Sequence, residues 1–344
     1  MTMTFHSFKQ LLLLGAAALV AGCASAPPPA LPSVPPAAMQ DAHLRVNVFP
    51  GSTNLPLLVA IDKGFLRERK ISVMIQNTPD SNQQRAGLAA GRFEIAHAAV
   101  DNALAMVESA KEDVIIVAGG DGSMNEFMAR ADVNGIAGMR GKVLAVDAPY
   151  TAYGLAAKKI LKNNGLIEGR DYTVRAVGGS SARAKALAED VTLAGGMLNP
   201  PFAFMVKEQG LKSLGNQASL IGAYQATGAF VMRKWAAANA GVLERYLAAY
   251  IEGQRYAMNP ANRAEMIKLL ADRFKLSPAF AEGTYAALTT PGSGLAPDAR
   301  LSVDGFKNVL AIRAEMENMW GGQAPAPDKY LDLSYFERAL VQAK

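Results

Sequence analysis

The chain has 344 residues, half of them hydrophobic and 7% aromatic, with a net charge of +5 at pH 7 and one cysteine. That length accommodates two domains, and the apolar share supplies a globular core rich in Ala, Leu and Val. The positive excess is spread thinly, without the Lys/Arg runs of a nucleic-acid surface, so no nucleic-acid partner is expected.

The first residues, MTMTFHSFKQ, carry one Lys and no acid, and LLLLGAAALVAG follows as a short apolar core ending in small residues. This layout predicts a secretory signal peptide over residues 1–22. Cys23 comes next in LVAGC, which resembles the bacterial lipoprotein box and marks the thiol as a site of diacylglycerol attachment. Prolines in SAPPPALPSVPPAAMQDA then predict an extended tether, so that residues 23–42 form a lipidated anchor and spacer. The expected place is the cell envelope, lipid-anchored and facing the periplasm or the outer face of the plasma membrane. No later run stays uncharged long enough to span a bilayer.

From Leu44 short apolar runs alternate with helical segments, a pattern of α/β units. Strands are expected at 44–50, 71–76, 93–99 and 113–120. Helices are expected at 54–66, 81–91 and 101–110, with Asn54 as an N-cap and Pro56 in a first turn. A second set predicts strands at 141–147, 172–177, 192–198 and 211–216, with helices at 152–166, 180–189 and 200–210. Two short strand-like segments, EFMARAD (126–132) and GAFVMRK (228–234), read as connectors crossing between two lobes. The remainder, from Trp235, carries apolar residues at three- and four-residue spacing and is expected to be helical. Lobe I is thus expected at 43–125, completed by helices over 235–344, and lobe II at 133–227.

The fourth strand runs into Gly119-Gly120-Asp121-Gly122-Ser123-Met124-Asn125-Glu126. G-G-D-G-[ST] ahead of N-E looks like the nucleotide-binding signature of lipid kinases. The later G-T-x-N-D-type element of those enzymes is missing, and a secreted chain has no ATP at hand. The motif is read instead as a turn leading into the first crossover, with positive φ at its glycines and an Asx-type turn at Asp121.

Five pieces stand in order: NLPLLVAIDKGFL, ISV, AGLAAGRFEIA, MRGKVLAVD and LKNNGL. Together they resemble type II periplasmic substrate-binding proteins, in the nitrate, sulfonate and taurine branch (NMT1/THI5-like), over roughly residues 44–285. Glu94 stands where Asp is common in that branch, and LAGGMLNPPF replaces the more usual G-x-V-D-A run. The resemblance implies a two-lobed α/β fold with two hinge crossovers and a ligand cleft between the lobes. It also implies a monomer that passes a small molecule to the permease and ATPase subunits of an ABC transporter.

In that architecture the loops after the strands face the cleft, and the following helices aim their N-termini at it. The expected ligand-binding residues are Ser52, Thr53, Asn54, Ser81, Asp101 and Asn102 from lobe I. Pro149, Tyr150, Thr151, Gly179, Ser180 and Asn199 are expected from lobe II. Asn54, Ser81, Asp101 and Ser180 are equally suited to capping their own helices. Asp80, Asp101 and Asp147 lie in these loops while Arg85 and Arg183 sit a turn further on, which disfavours a bare inorganic anion. The same carboxylates favour a solute with a ring or a cationic or amide group, and the resemblance implies a sulfonate-, pyrimidine- or aromatic-type solute. No metal or cofactor is expected, since no Cys/His cluster has ligand spacing. Only His97 lies in the body, mid-strand, where it reads as a satisfied half-buried residue. The chain is thus read as a binding protein and not an enzyme, with a dehydratase-like cleft enzyme or an orphan sensor lipoprotein as alternatives.

Overall fold

The computed structural model describes Met39–Lys344. The signal peptide, Cys23 and the tether up to residue 38 lie outside the described residues. The strands are β1 (Ala42–Val48), β2 (Ile71–Asn77), β3 (Ile95–Ala99), β4 (Val114–Gly119), β5 (Glu126–Ala129), β6 (Val143–Val146), β7 (Thr173–Ala176), β8 (Leu193–Leu198), β9 (Lys212–Asn216) and β10 (Thr227–Met232). They form two five-stranded sheets, ordered β2-β1-β3-β10-β4 and β7-β6-β8-β5-β9.

The parallel pairs β1–β2, β1–β3, β6–β7 and β6–β8 need helical crossovers. In the first sheet these are α1 (Leu55–Asp62) with the short α2 (Phe65–Glu68), α3 (Ser81–Ala89) and α4 (Asp101–Glu108). In the second they are α5 (Ala152–Asn163), α6 (Ser180–Glu189) and α7 (Phe202–Glu208), and α8 (Gln217–Ile221) follows β9 on the way back to the first sheet. The chain then adds α9 (Arg233–Ala238), α10 (Ala240–Met258), α11 (Arg263–Phe274), α12 (Pro278–Leu288), α13 (Val303–Glu317) and α14 (Ser334–Gln342). Strands β3, β4 and β8 are buried along their whole length, as their unbroken apolar runs require of strands covered on both faces. The edge strand β2 alternates instead.

Each sheet is the middle of three layers. Leu57 of α1, Tyr246 and Leu247 of α10 and Phe336 of α14 cover one face of the first sheet. Leu88 of α3, Leu104 of α4 and Phe306 and Leu310 of α13 cover the other. The second sheet is held between Ile160 and Leu161 of α5 and a layer of Leu187 and Val206 from α6 and α7.

Segments 126–132 and 228–234, read from sequence as connectors, are strands of the sheets themselves. β5 lies antiparallel between β8 and β9, and β10 antiparallel between β3 and β4. Buried apolar backbone such as FMA or AFV must pair its N–H and C=O groups, and the sheets supply the partners. The chain passes between sheets just beside them, at 120–125 and 217–226. The C-terminal helices are also divided by the structure. The stretch expected to be helical from Trp235 onward breaks at Asn239 into α9 and α10, α13 stops at left-handed Asn318, and α14 closes the chain.

Candidate functional site

The glycine-rich motif anchors the two passages between the sheets. Gly119, Gly120 and Gly122 do not have positive φ; the residue that does is Ser123, at 80°. The glycines serve close backbone approach instead. A Cβ on Gly119 would meet Arg300 O at 2.4 Å, and one on Gly122 would meet Gly292 O at 1.9 Å. Asp121 is buried, accepts Ser123 N–H at 2.9 Å and the Thr227 hydroxyl on its carboxylate, and accepts Ala226 N–H at 3.0 Å on its carbonyl. Ser123 Oγ donates to Gln217 Oε1 at 2.8 Å. One carboxyl thereby ties the outgoing passage to the returning one. Burial pushes this carboxyl up to about 6, against the opposing effect of its hydrogen bonds.

A cavity of about 60 Å³ lies between the two sheets' loop ends. That is room for roughly four to six water-sized groups. Its wall includes Phe49, Ser81, His97 and Asn102 from one side and Asp147, Tyr153, Ser180, Arg183 and Asn199 from the other. The sides touch directly. Asp147 accepts Ser81 N–H at 3.2 Å and the Ser81 hydroxyl, Ser52 Oγ donates to Pro200 O at 2.7 Å, and Gly179 N–H donates to Pro79 O at 2.9 Å.

Behind Ser81 runs a buried polar chain. Asn102 Nδ2 donates to Ser81 Oγ at 3.2 Å and to Gln84 Oε1 at 3.1 Å, and Gln84 Nε2 donates to Asn47 Oδ1 at 2.8 Å. Asn102 Oδ1 and Asn199 Oδ1 are buried without a protein partner. Arg183 is buried, with donors directed at neutral oxygens: Met197 O at 2.9 Å, Gly178 O at 2.7 Å and Ser180 Oγ at 3.1 Å. Burial lowers its pKa while the charge of Asp147 works the other way. His97 Nε2 and the Tyr246 hydroxyl share a 2.8 Å hydrogen bond, and burial holds the imidazole down at about 4, neutral at physiological pH.

The family model described as NMT1/THI5 like matches residues 52–264, more than half of the chain. The chain belongs to the NMT1/THI5-like family. Solved structures with the same fold include the alkanesulfonate-binding protein SsuA from Xanthomonas axonopodis pv. citri bound to MOPS, at 19% identity and a TM-score of 0.66 over 86% of this chain and 97% of that one. The periplasmic nitrate-binding protein NrtA from Synechocystis PCC 6803 aligns at 13% identity and a TM-score of 0.72 over 88% and 89%. The ligand-binding component of an ABC-type import system from Staphylococcus aureus, with zinc bound, aligns at 15% identity and a TM-score of 0.71 over 87% and 99%. The chain matches no curated protein sequence.

Within this NMT1/THI5-like fold, Thr53, Ser81, Asn102, Thr151, Gly179, Ser180 and Asn199 are brought together around the cavity. The other expected site residues are not. Ser52 lies beside it in the contact to Pro200, and Asn54 Nδ2 donates to Phe49 O at 2.7 Å. Asp101 is paired with Arg313 through bonds of 2.8 and 2.7 Å, both residues being fully buried. Pro149 and Tyr150 stand outside; Tyr150 is 63% exposed, with Lys158 Nζ 5.0 Å from its ring centre. Asn54 holds the N-cap position of α1 without a side-chain cap bond, and Ser81, Asp101 and Ser180 lie inside their helices; Asp80, one residue before Ser81, caps α3 by accepting Gln83 N–H. The three-carboxylate repulsion expected of the loops is therefore absent. Asp80 is occupied as a cap, Asp101 is neutralised, and only Asp147 borders the cavity together with Arg183. Sequence reading passed over Phe49, Tyr153 and Thr227, and set Arg183 a turn beyond the loops. Phe49 and Tyr153 adjoin predicted loops, whereas Arg183 reaches the site by folding back along the first turn of α6.

Among the described residues no group of His, Cys, Asp and Glu is placed to hold a metal ion, and no helix is long and apolar enough to cross a membrane.

Proposed function

We propose that this protein is an extracytoplasmic solute-binding lipoprotein. It captures a small polar organic molecule between its lobes and delivers it to an ABC importer. The observation that carries this reading is the cavity walled by both sheets' loop ends, with direct hydrogen bonds from one side to the other. The lobes are residues 43–119 with β10 and the C-terminal helices, and residues 126–216. The hinge is the Asp121 junction, where two passages are short and mutually tied. Ligand contacts on both walls favour the closed arrangement by the difference in affinity for closed and open forms. Lipidation at Cys23 supplies the membrane anchor.

Thermal unfolding of the purified protein against sulfonates, nitrate, aromatic carboxylates, pyrimidines, amides and polyamines tests this. A solute at 100 times its Kd stabilises by about 2.7 kcal/mol. Recovery of that solute unchanged supports a binding protein, and recovery of a product marks a cleft enzyme. Labelling of Cys23 by radioactive palmitate in a bacterial host checks the anchor.

A further inference from the structure

We infer that the solute of this cleft is a small amide, a nitrogen-bearing hydrogen-bond donor, and that Asp147 sets this preference. The inference rests on the reading of the cleft as a solute-binding site.

A free helix N-terminus presents N–H donors and favours anions. At α3 that position is already taken. Asp147 reaches it from the other side of the cleft and accepts both the N–H and the hydroxyl of Ser81. The hydroxyl proton is thus directed at the carboxylate, and Ser81 Oγ accepts from Asn102 Nδ2. Gln84 has committed its Nε2 to Asn47 and presents Oε1 to the same Asn102 Nδ2. Turning the Asn102 amide over would set its oxygen against Ser81 Oγ, whose proton is already directed at Asp147, so the Ser81–Asp147 pair fixes the direction of the chain. It ends in Asn102 Oδ1, an acceptor on a side chain 1% exposed that borders the cavity and has no protein partner.

A buried acceptor without a donor is unfavourable, and an N–H from the solute removes the deficit. Asn199, on the facing wall, also borders the cavity with an unpartnered Oδ1. Arg183 uses one N–H on each of Nε, Nη1 and Nη2, which leaves two donors for an acceptor on the same solute. A carboxylate or sulfonate offers only acceptors, and at the Asn102 wall it would face another acceptor and the Asp147 charge. An amide offers NH2 at one end and oxygen at the other.

The experiment is calorimetric titration of the whole protein with matched pairs that differ only in that group: acetamide against acetate, and lactamide against lactate. The expected result is amide binding at least about tenfold tighter than its carboxylate, because the carboxylate leaves the buried Asn102 acceptor unpaired. In Asp147→Asn, and in Ser81→Ala as a second variant, the ratio should fall at least about tenfold toward the carboxylate. Equal or carboxylate-favoured binding by the parent protein overturns the proposal. So does an amide preference that both variants retain, because Asp147 would then not set it. If the thermal panel finds a ligand but neither pair shows an amide preference, the donor assignment falls and the solute-binding reading stands. If panel and pairs are both flat, the two fall together.

Discussion

In both sheets three parallel strands are followed by an antiparallel fourth and then a fifth, with β10 and β5 in the same place in the two orders. The antiparallel strand is in each case contributed by a segment adjoining the passage from the other sheet. Equivalent wiring carries α3 and α4 on one side, and α5 and α6 on the other, with their N-termini toward the cleft. What the side chains do there differs. On the first side Asp101 is consumed by Arg313, and the α3 terminus is closed by Asp147 from across the cavity. On the second side Arg183 sits within the first turn of α6 and keeps donors free. Repeating a fold repeats where helix termini point; the polarity they present is set by tertiary partners.

Removing one of those partners should have the largest effect. Arg313→Met leaves Asp101 buried beside Glu317 without its cation, and should destabilise by about 3–5 kcal/mol, read as a fall in the urea midpoint. If the midpoint holds, the first side's polarity does not depend on this pair. The junction comes next. The native state keeps the Asp121 proton up to pH about 6, whereas the unfolded chain releases it in the ordinary carboxylate range. Stability from this group is present below that range and is lost as pH rises through 6, so Asp121→Asn should stabilise by about 2–3 kcal/mol at pH 8 and little at pH 3.

His97 gives the opposite limb. Held down at about 4, it contributes stability above its ordinary 6.5 that is lost as pH falls through 4, and His97→Gln should flatten urea midpoints over that window. Gly122→Ala places a methyl against Gly292 O and should cost about 1–3 kcal/mol by thermal unfolding. Lys268→Ala breaks an exposed i,i+4 pair on α11 far from either side of the cleft, and its melting temperature should match the parent's.

Much of the fold was legible because its signals are local. Apolar runs such as VIIVA and IAHAA mark buried strands, Pro56 and Asp80 mark helix starts, and the spacing of five short motifs marks the family. The loops that face the cavity follow from strand order, which is why Ser81, Asn102, Thr151 and Ser180 were found. Segment SYFERALVQ lies in the stretch expected to be helical, and α10 gives its apolar face a surface to cover.

The sequence alone determined that residues 119–122 must be glycine-rich and that Asp101 and Asp147 stand at loop ends. It could not say that the glycines serve the backbones of Arg300 and Gly292, nearly two hundred residues on, and not a left-handed turn. Nor could it say that Arg313 neutralises one aspartate while the other crosses the cleft to Ser81. Backbone propensity and apolar periodicity are properties of neighbours along the chain. Charge pairing and the direction of a hydrogen-bond chain belong to neighbours in space, and the fold alone decides which those are.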